Sequence, residues 1–113
     1  MSAITTRVLD VAAGKPATDM TVRLLHHNAD AWGQIGNGST DADGRVADLL
    51  VDQHELLAGR YRLVFETGDY FGSRDIDTFY PQVEVTFKVG AAREQYHVPL
   101  LLSPHGYSTH RGS

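Results

Sequence analysis

Apolar and polar residues alternate in short runs along most of the chain. In "VEVTFKV" (83–89), Val83, Val85, Phe87 and Val89 share one parity, and Glu84, Thr86 and Lys88 share the other. A period of two marks a strand with one buried face and one wet one. "RYRLVFET" places Tyr61, Leu63 and Phe65 on one face, and "MTVRLLHH" sets Val22 and Leu24 against Thr21 and Arg23. Glycine and proline interrupt these runs at short intervals, among them Gly14-Lys15-Pro16, Gly36-Asn37-Gly38, Asp43-Gly44 and Pro104-His105-Gly106. The pattern predicts strands over 4–10, 20–28, 31–38, 44–48, 59–67, 82–89, 94–103 and 106–112, with one helical turn in "GDYFGSR" (68–74). No strand is followed by a long helical pattern, so an all-β antiparallel sandwich is expected in place of βαβ units.

The last two runs carry the most information. In "EQYHVPLLL", Tyr96, Val98, Leu100 and Leu102 form a continuous apolar face, the expected core side. Gln95, His97, Pro99 and Leu101 lie on the other. A face that mixes a histidine with proline and leucine is half apolar, and such a surface suits a cover by a ligand or another subunit. The final segment also alternates, with Tyr107, Thr109, Arg111 and Ser113 on one side and Ser108 and His110 on the other. Pro104-His105-Gly106 can reverse the chain. The terminal strand then pairs with 94–103 and brings His110 or Arg111 close to His97.

Composition narrows the function. The chain has 113 residues, 42% hydrophobic and 21% charged, which fits one globular domain over 1–113. A net charge of −4 with histidine neutral argues against a nucleic-acid surface, which needs clustered cations. With no cysteine, disulfides, thiolate catalysis and cysteine-held zinc are excluded. "MSAITTRVLD" does not read as a secretory leader, and the longest apolar run, "VPLLL", is too short for a bilayer. A soluble, cytoplasmic protein without membrane or nucleic-acid partners is expected.

Six histidines are the main candidates for chemistry. His26 and His27 are adjacent on a strand, so their side chains point to opposite faces and cannot chelate one metal together. His54 lies in a polar stretch without an obvious partner. His97 differs in its setting, with Arg45 in "DADGRV", Arg7 in the first strand and Arg111 near the end as possible anion-binding groups. An imidazole with a pKa near about 6.5 moves protons, and a guanidinium holds an anionic or carbonyl-rich ligand. The same set could bind an anion without reacting. No nucleophile elbow, phosphate loop or zinc-protease motif is present.

Four stretches together resemble the 5-hydroxyisourate hydrolase family of transthyretin-related proteins. They are "VLDVAAGKPATDMTVRL", "TDADGRV" at 40–46, "ETGDYF" with "TFYPQVEVTF" between 66 and 87, and "YHVPLLLSPHGYSTHRGS" at the end. The resemblance is collinear over nearly the whole chain. It implies a sandwich of two four-stranded sheets with a short helix, assembled as a homotetramer whose dimer–dimer interface forms a channel containing the active sites. It also implies hydrolysis of 5-hydroxyisourate in purine degradation, with a small-molecule substrate and no metal or organic cofactor. In that pattern His97 helps activate water, Arg45 and Arg111 stabilise negative charge on purine oxygens, and Ser113 with the terminal carboxylate orders the site. Ser108 and Leu101 join Arg7 and Arg111 as candidates for substrate contact.

Two positions depart from the family pattern. Arg7 stands where the family has histidine in "T-H-V-L-D", and His110 stands where it has tyrosine in "Y-R-G-S". A guanidinium stays protonated near neutral pH and cannot act as a general base. His110 is a candidate catalytic group that restores an imidazole to the site, while Arg7 adds a cation that favours the neutral form of a nearby histidine. Transthyretin, the carrier in the same superfamily, has lysine and threonine at these positions. The alternatives are a protein that binds a small anionic ligand and one that catalyses a different reaction in specialised metabolism.

Overall fold

In the computed structural model, residues 3–50, 56–90 and 94–112 are described. The strands are β1 (Ile4–Asp10), β2 (Lys15–Pro16), β3 (Thr21–Asn28), β4 (Ala31–Ser39), β5 (Gly59–Phe65), β6 (Val83–Val89), β7 (Tyr96–Ser103) and β8 (Gly106–Thr109). One helix, α1 (Thr67–Gly72), lies between β5 and β6. They form two four-stranded sheets, ordered β2-β1-β7-β8 and β4-β3-β5-β6. The inner faces meet in a core that includes Ile4, Val8, Val22, Leu24, Leu63 and Leu100, all fully buried. Strict alternation in β1 and β7 gives each one buried and one half-buried face, as the period of two requires.

Three features differ from the reading of the sequence. The first sheet is not wholly antiparallel, because β1 and β7 run in the same direction, with Thr5 opposite His97 and Leu9 opposite Leu101. A parallel pair needs a long crossover, and here the second sheet supplies it. Residues 44–48 are not a strand but make one isolated bridge, Arg45 to Arg7. The turn before Arg45 explains this: the Asp41 carboxylate accepts hydrogen bonds from the Asp43 and Arg45 N–H groups at 2.9 and 3.0 Å and curls the backbone. Lys15-Pro16, taken as part of a turn, forms the two-residue β2 against Leu9 and Asp10.

The expected hairpin at the end is present. β7 and β8 pair with Leu100 opposite Thr109, Leu101 opposite Ser108, Leu102 opposite Tyr107 and Ser103 opposite Gly106. The Pro104 carbonyl accepts hydrogen bonds from the Phe79 N–H and the Thr78 hydroxyl, tying the turn to the segment before β6. Counting on, His110 falls opposite Pro99, which has no N–H to donate. Pairing stops at Thr109, whose hydroxyl donates to the Pro99 carbonyl at 2.7 Å, and resumes at Gly112, which bridges His97.

The short helix is fixed to β1 by a buried carboxylate. Tyr70 donates to Asp10 Oδ2 at 2.8 Å, and burial, helped by that bond, pushes its phenol up to about 12. Asp10 Oδ1 accepts from the Ala13 N–H at 3.0 Å, so the side chain also shapes the β1–β2 turn. Among the described residues no helix is long and apolar enough to cross a membrane.

Candidate active site

The outward face of the first sheet is built from Thr5, Arg7 and Leu9 on β1 and His97, Pro99 and Leu101 on β7. Their parity excludes them from the core and leaves them half-buried. His97 is the centre of this face. Its Nδ1 lies 2.8 Å from Thr5 Oγ1, and its carbonyl accepts the Gly112 N–H at 2.8 Å.

Arg45 arrives from the turn that the sequence reading took for the start of a strand. Gly44 sits at φ +78°, where a Cβ would stand 2.3 Å from the Val8 carbonyl oxygen, so only glycine fits there. Its own carbonyl accepts the Val8 N–H at 2.8 Å, which docks the turn on β1 beside Arg7. Arg7 Nε donates to the Asp43 carbonyl at 3.3 Å in the same turn. The Arg45 guanidinium makes no hydrogen bond or ion pair among the described residues. Two guanidiniums therefore stand side by side, and among the described residues no carboxylate is bonded to either side chain.

Arg111 comes from the tail, over the Tyr96 ring at 4.7 Å and 3.8 Å from Glu94 Oε2. His97 is shared by two clefts. One, about 590 Å³, is bounded by Thr5, Arg45, His97, Arg111 and Gly112. The other, about 320 Å³ and more apolar, lies between the sheets and is bounded by Val85, Phe87, His97, His110 and Arg111. Burial lowers the His97 pKa below its ordinary value, and electrostatic interaction with Arg45, Arg7 and His110 pushes the same way. A hydrogen bond with the Thr5 backbone opposes them. The net result is a neutral imidazole beside several cations, suited to taking a proton near an anion.

The structure thus gathers five of the candidates: His97, Arg45, Arg7, His110 and Arg111. It does not bring Leu101 and Ser108 to His97. They oppose each other on the same face, but Leu101 is four residues along β7, about 13 Å at the usual strand rise. Ser113 and His54 lie outside the described residues. His26 stacks on Tyr61 at 4.4 Å and His27 meets Trp32 at 5.0 Å, on opposite faces as expected. Among the described residues no three histidines or carboxylates form a group that could hold a metal ion. Sequence reasoning named Gly112 with the terminal family motif but missed Thr5. Thr5 shares its parity with Arg7, but only the parallel register puts it against His97.

A model of the HIUase/Transthyretin family matches residues 4–112. The chain belongs to this family. It is 44% identical over 110 residues to the 5-hydroxyisourate hydrolase of Salmonella dublin, covering 97% of this chain and 80% of that one. Among solved structures, the 5-hydroxyisourate hydrolase of Klebsiella pneumoniae superposes with a TM-score of 0.84 at 33% identity, over 97% of this chain and 92% of that one. Sea bream transthyretin in complex with thyroxine superposes with a TM-score of 0.91 at 32% identity, over 98% and 95%. Family members that differ in chemistry therefore share this backbone, and the side chains of the site must decide between them.

Proposed function

We propose that this protein hydrolyses 5-hydroxyisourate, a step of purine degradation, as a cytoplasmic homotetramer that uses no cofactor. The observation that carries the reading is His97, held neutral by burial among Arg45, Arg7 and His110. His97 Nε2 takes a proton from water as the water oxygen bonds to a ring carbonyl carbon. Negative charge grows on that carbonyl oxygen, and Arg45 and Arg111 stabilise it. The ring C–N bond then breaks, the imidazolium returns its proton to the leaving nitrogen, and a ureido imidazoline carrying a new carboxylate remains. Arg7 adds a cation that attracts the anionic ring, and His110 supplies a second imidazole from the cleft between the sheets. Ser113, next to Gly112, orders the end of the site in this reading.

Two features support the assembly. Phe79 and Tyr107 are exposed aromatic residues beside or on the edge strands β6 and β8, at 72% and 43% exposure. An uncovered edge flanked by apolar side chains suits a subunit contact. A tetramer would bring the outward faces of the first sheets together and turn the open cleft into a channel. Sedimentation at micromolar concentration checks this, with a tetramer expected and a monomer contradicting it.

The activity is tested by following the ultraviolet decay of freshly generated 5-hydroxyisourate with and without the protein. Acceleration proportional to protein is expected. Decay at the buffer rate overturns the reading and leaves a binding role for the same cleft, which the likeness to a thyroxine-bound transthyretin favours. In that case a non-hydrolysed urate analogue would bind while no substrate is consumed.

A further inference from the structure

Thr5 and Gly112 approach His97 from opposite flanks, and neither carries charge. Thr5 is the register partner of His97 across the parallel β1–β7 ladder, with Oγ1 2.8 Å from Nδ1. Gly112 lies on the β8 side, its N–H donating to the His97 carbonyl. A Cβ on Gly112 would stand 2.6 Å from His97 Cδ2 and 3.3 Å from Cγ, so the tail passes over the ring at a distance that only glycine allows.

Nδ1 and Cδ2 are the two ring atoms attached to Cγ. A contact on each fixes both the plane of the ring and the choice between its two flipped orientations. The Cε1–Nε2 edge points away from both contacts. Flipping the ring would exchange an N···O hydrogen bond for a C–H facing the threonine hydroxyl. It would also turn Nδ1 toward the Gly112 backbone.

We propose that Thr5 and Gly112 are positioning residues that clamp the His97 ring with its proton on Nδ1, so that Nε2 presents its lone pair to the substrate. The proposal rests on the reading of His97 as the general base. A threonine hydroxyl can donate or accept, so the side chain alone leaves the tautomer open. The base role sets it: Nε2 can take a proton only when the ring's own proton sits on Nδ1, 2.8 Å from the Thr5 Oγ1 that then accepts it. The partner of one ring nitrogen sets which nitrogen is free to react. Arg45, Arg7 and His110 bear on the charge of the ring, whereas Thr5 and Gly112 bear on its direction.

The test uses the whole protein and reads the tautomer directly, by long-range ¹H–¹⁵N NMR of the His97 ring at about pH 8, where the imidazole is neutral. The expected spectrum shows Nδ1 protonated and Nε2 bare. Thr5→Val, which keeps the shape and removes the hydroxyl, is expected to mix the tautomers and lower kcat about tenfold with KM nearly unchanged, the scale of one lost orienting hydrogen bond. Thr5→Ser is expected to restore both. Gly112→Ala is expected to shift the His97 ring signals and lower kcat in the same way. An Nδ1 without its proton in the wild type overturns the proposal, as does a Thr5→Val protein whose tautomer or kcat matches the wild type. If 5-hydroxyisourate is not hydrolysed at all, the functional reading fails, and the NMR result still decides the clamp.

Discussion

The two sheets present outward faces of opposite character. On β3-β5-β6 the polar groups satisfy one another. Arg23 pairs with Glu66 at 3.3 Å, and Gln82 donates to the same carboxylate. Arg62 donates to Thr86 and lies over the Trp32 ring at 4.1 Å, and His27 meets the same ring at 5.0 Å. On the first sheet the Arg7 and Arg45 guanidiniums stand together beside His97 with only the Asp43 backbone carbonyl as a partner among the described residues. Cations bonded to carboxylates and rings stabilise a surface. Cations left without a counter-charge around a half-buried imidazole raise the local potential and await an anion.

This contrast can be broken at either face. The largest expected effect is His97→Asn, which removes the proposed base and is expected to lower kcat by about 10²–10⁴-fold. His27→Asn, on the other sheet, is expected to leave kcat within error, and steady-state assays on both proteins check the pair. Arg45→Gln is expected to cost about 10²-fold in kcat/KM, since it removes the charge proposed to stabilise the developing oxyanion. Arg7→Gln is expected to cost about tenfold or less and to move the acid limb of the pH profile upward, because one of the cations that disfavours the imidazolium is gone. Arg62→Gln is expected to leave activity unchanged and to lower stability by about 0.5–1 kcal/mol, read by denaturant titration. An Arg62→Gln protein that loses activity would mean the second face is not merely structural.

Much of the first face was legible from parity alone. The apolar run Tyr96, Val98, Leu100 and Leu102 forced His97 outward, and the turn at Pro104-His105 made the tail a return strand. What could not be read was anything set by register between distant segments. Thr5 meets His97 across 92 residues of chain, through a parallel pairing that short-range turn signals do not encode. The strand expected at 44–48 failed because the Asp41 side chain competes for the backbone there, a local bond that period-two reasoning ignores. The same limit applies to Leu101 and Ser108: sharing a face with His97 did not place them near it, since distance along a strand grows by about 3.3 Å per residue.

The charge array also fixes the sign of a pH effect. Burial and the neighbouring charges, those of Arg45 and Arg7 first, oppose protonation of His97, so its neutral form persists to lower pH than that of an ordinary histidine. The most direct measurement is kcat/KM for 5-hydroxyisourate across the acid and neutral range. The account expects turnover, with an acid limb whose midpoint lies below 6.5, the ordinary histidine value. A midpoint above 6.5, or decay at the buffer rate at every pH, would contradict it.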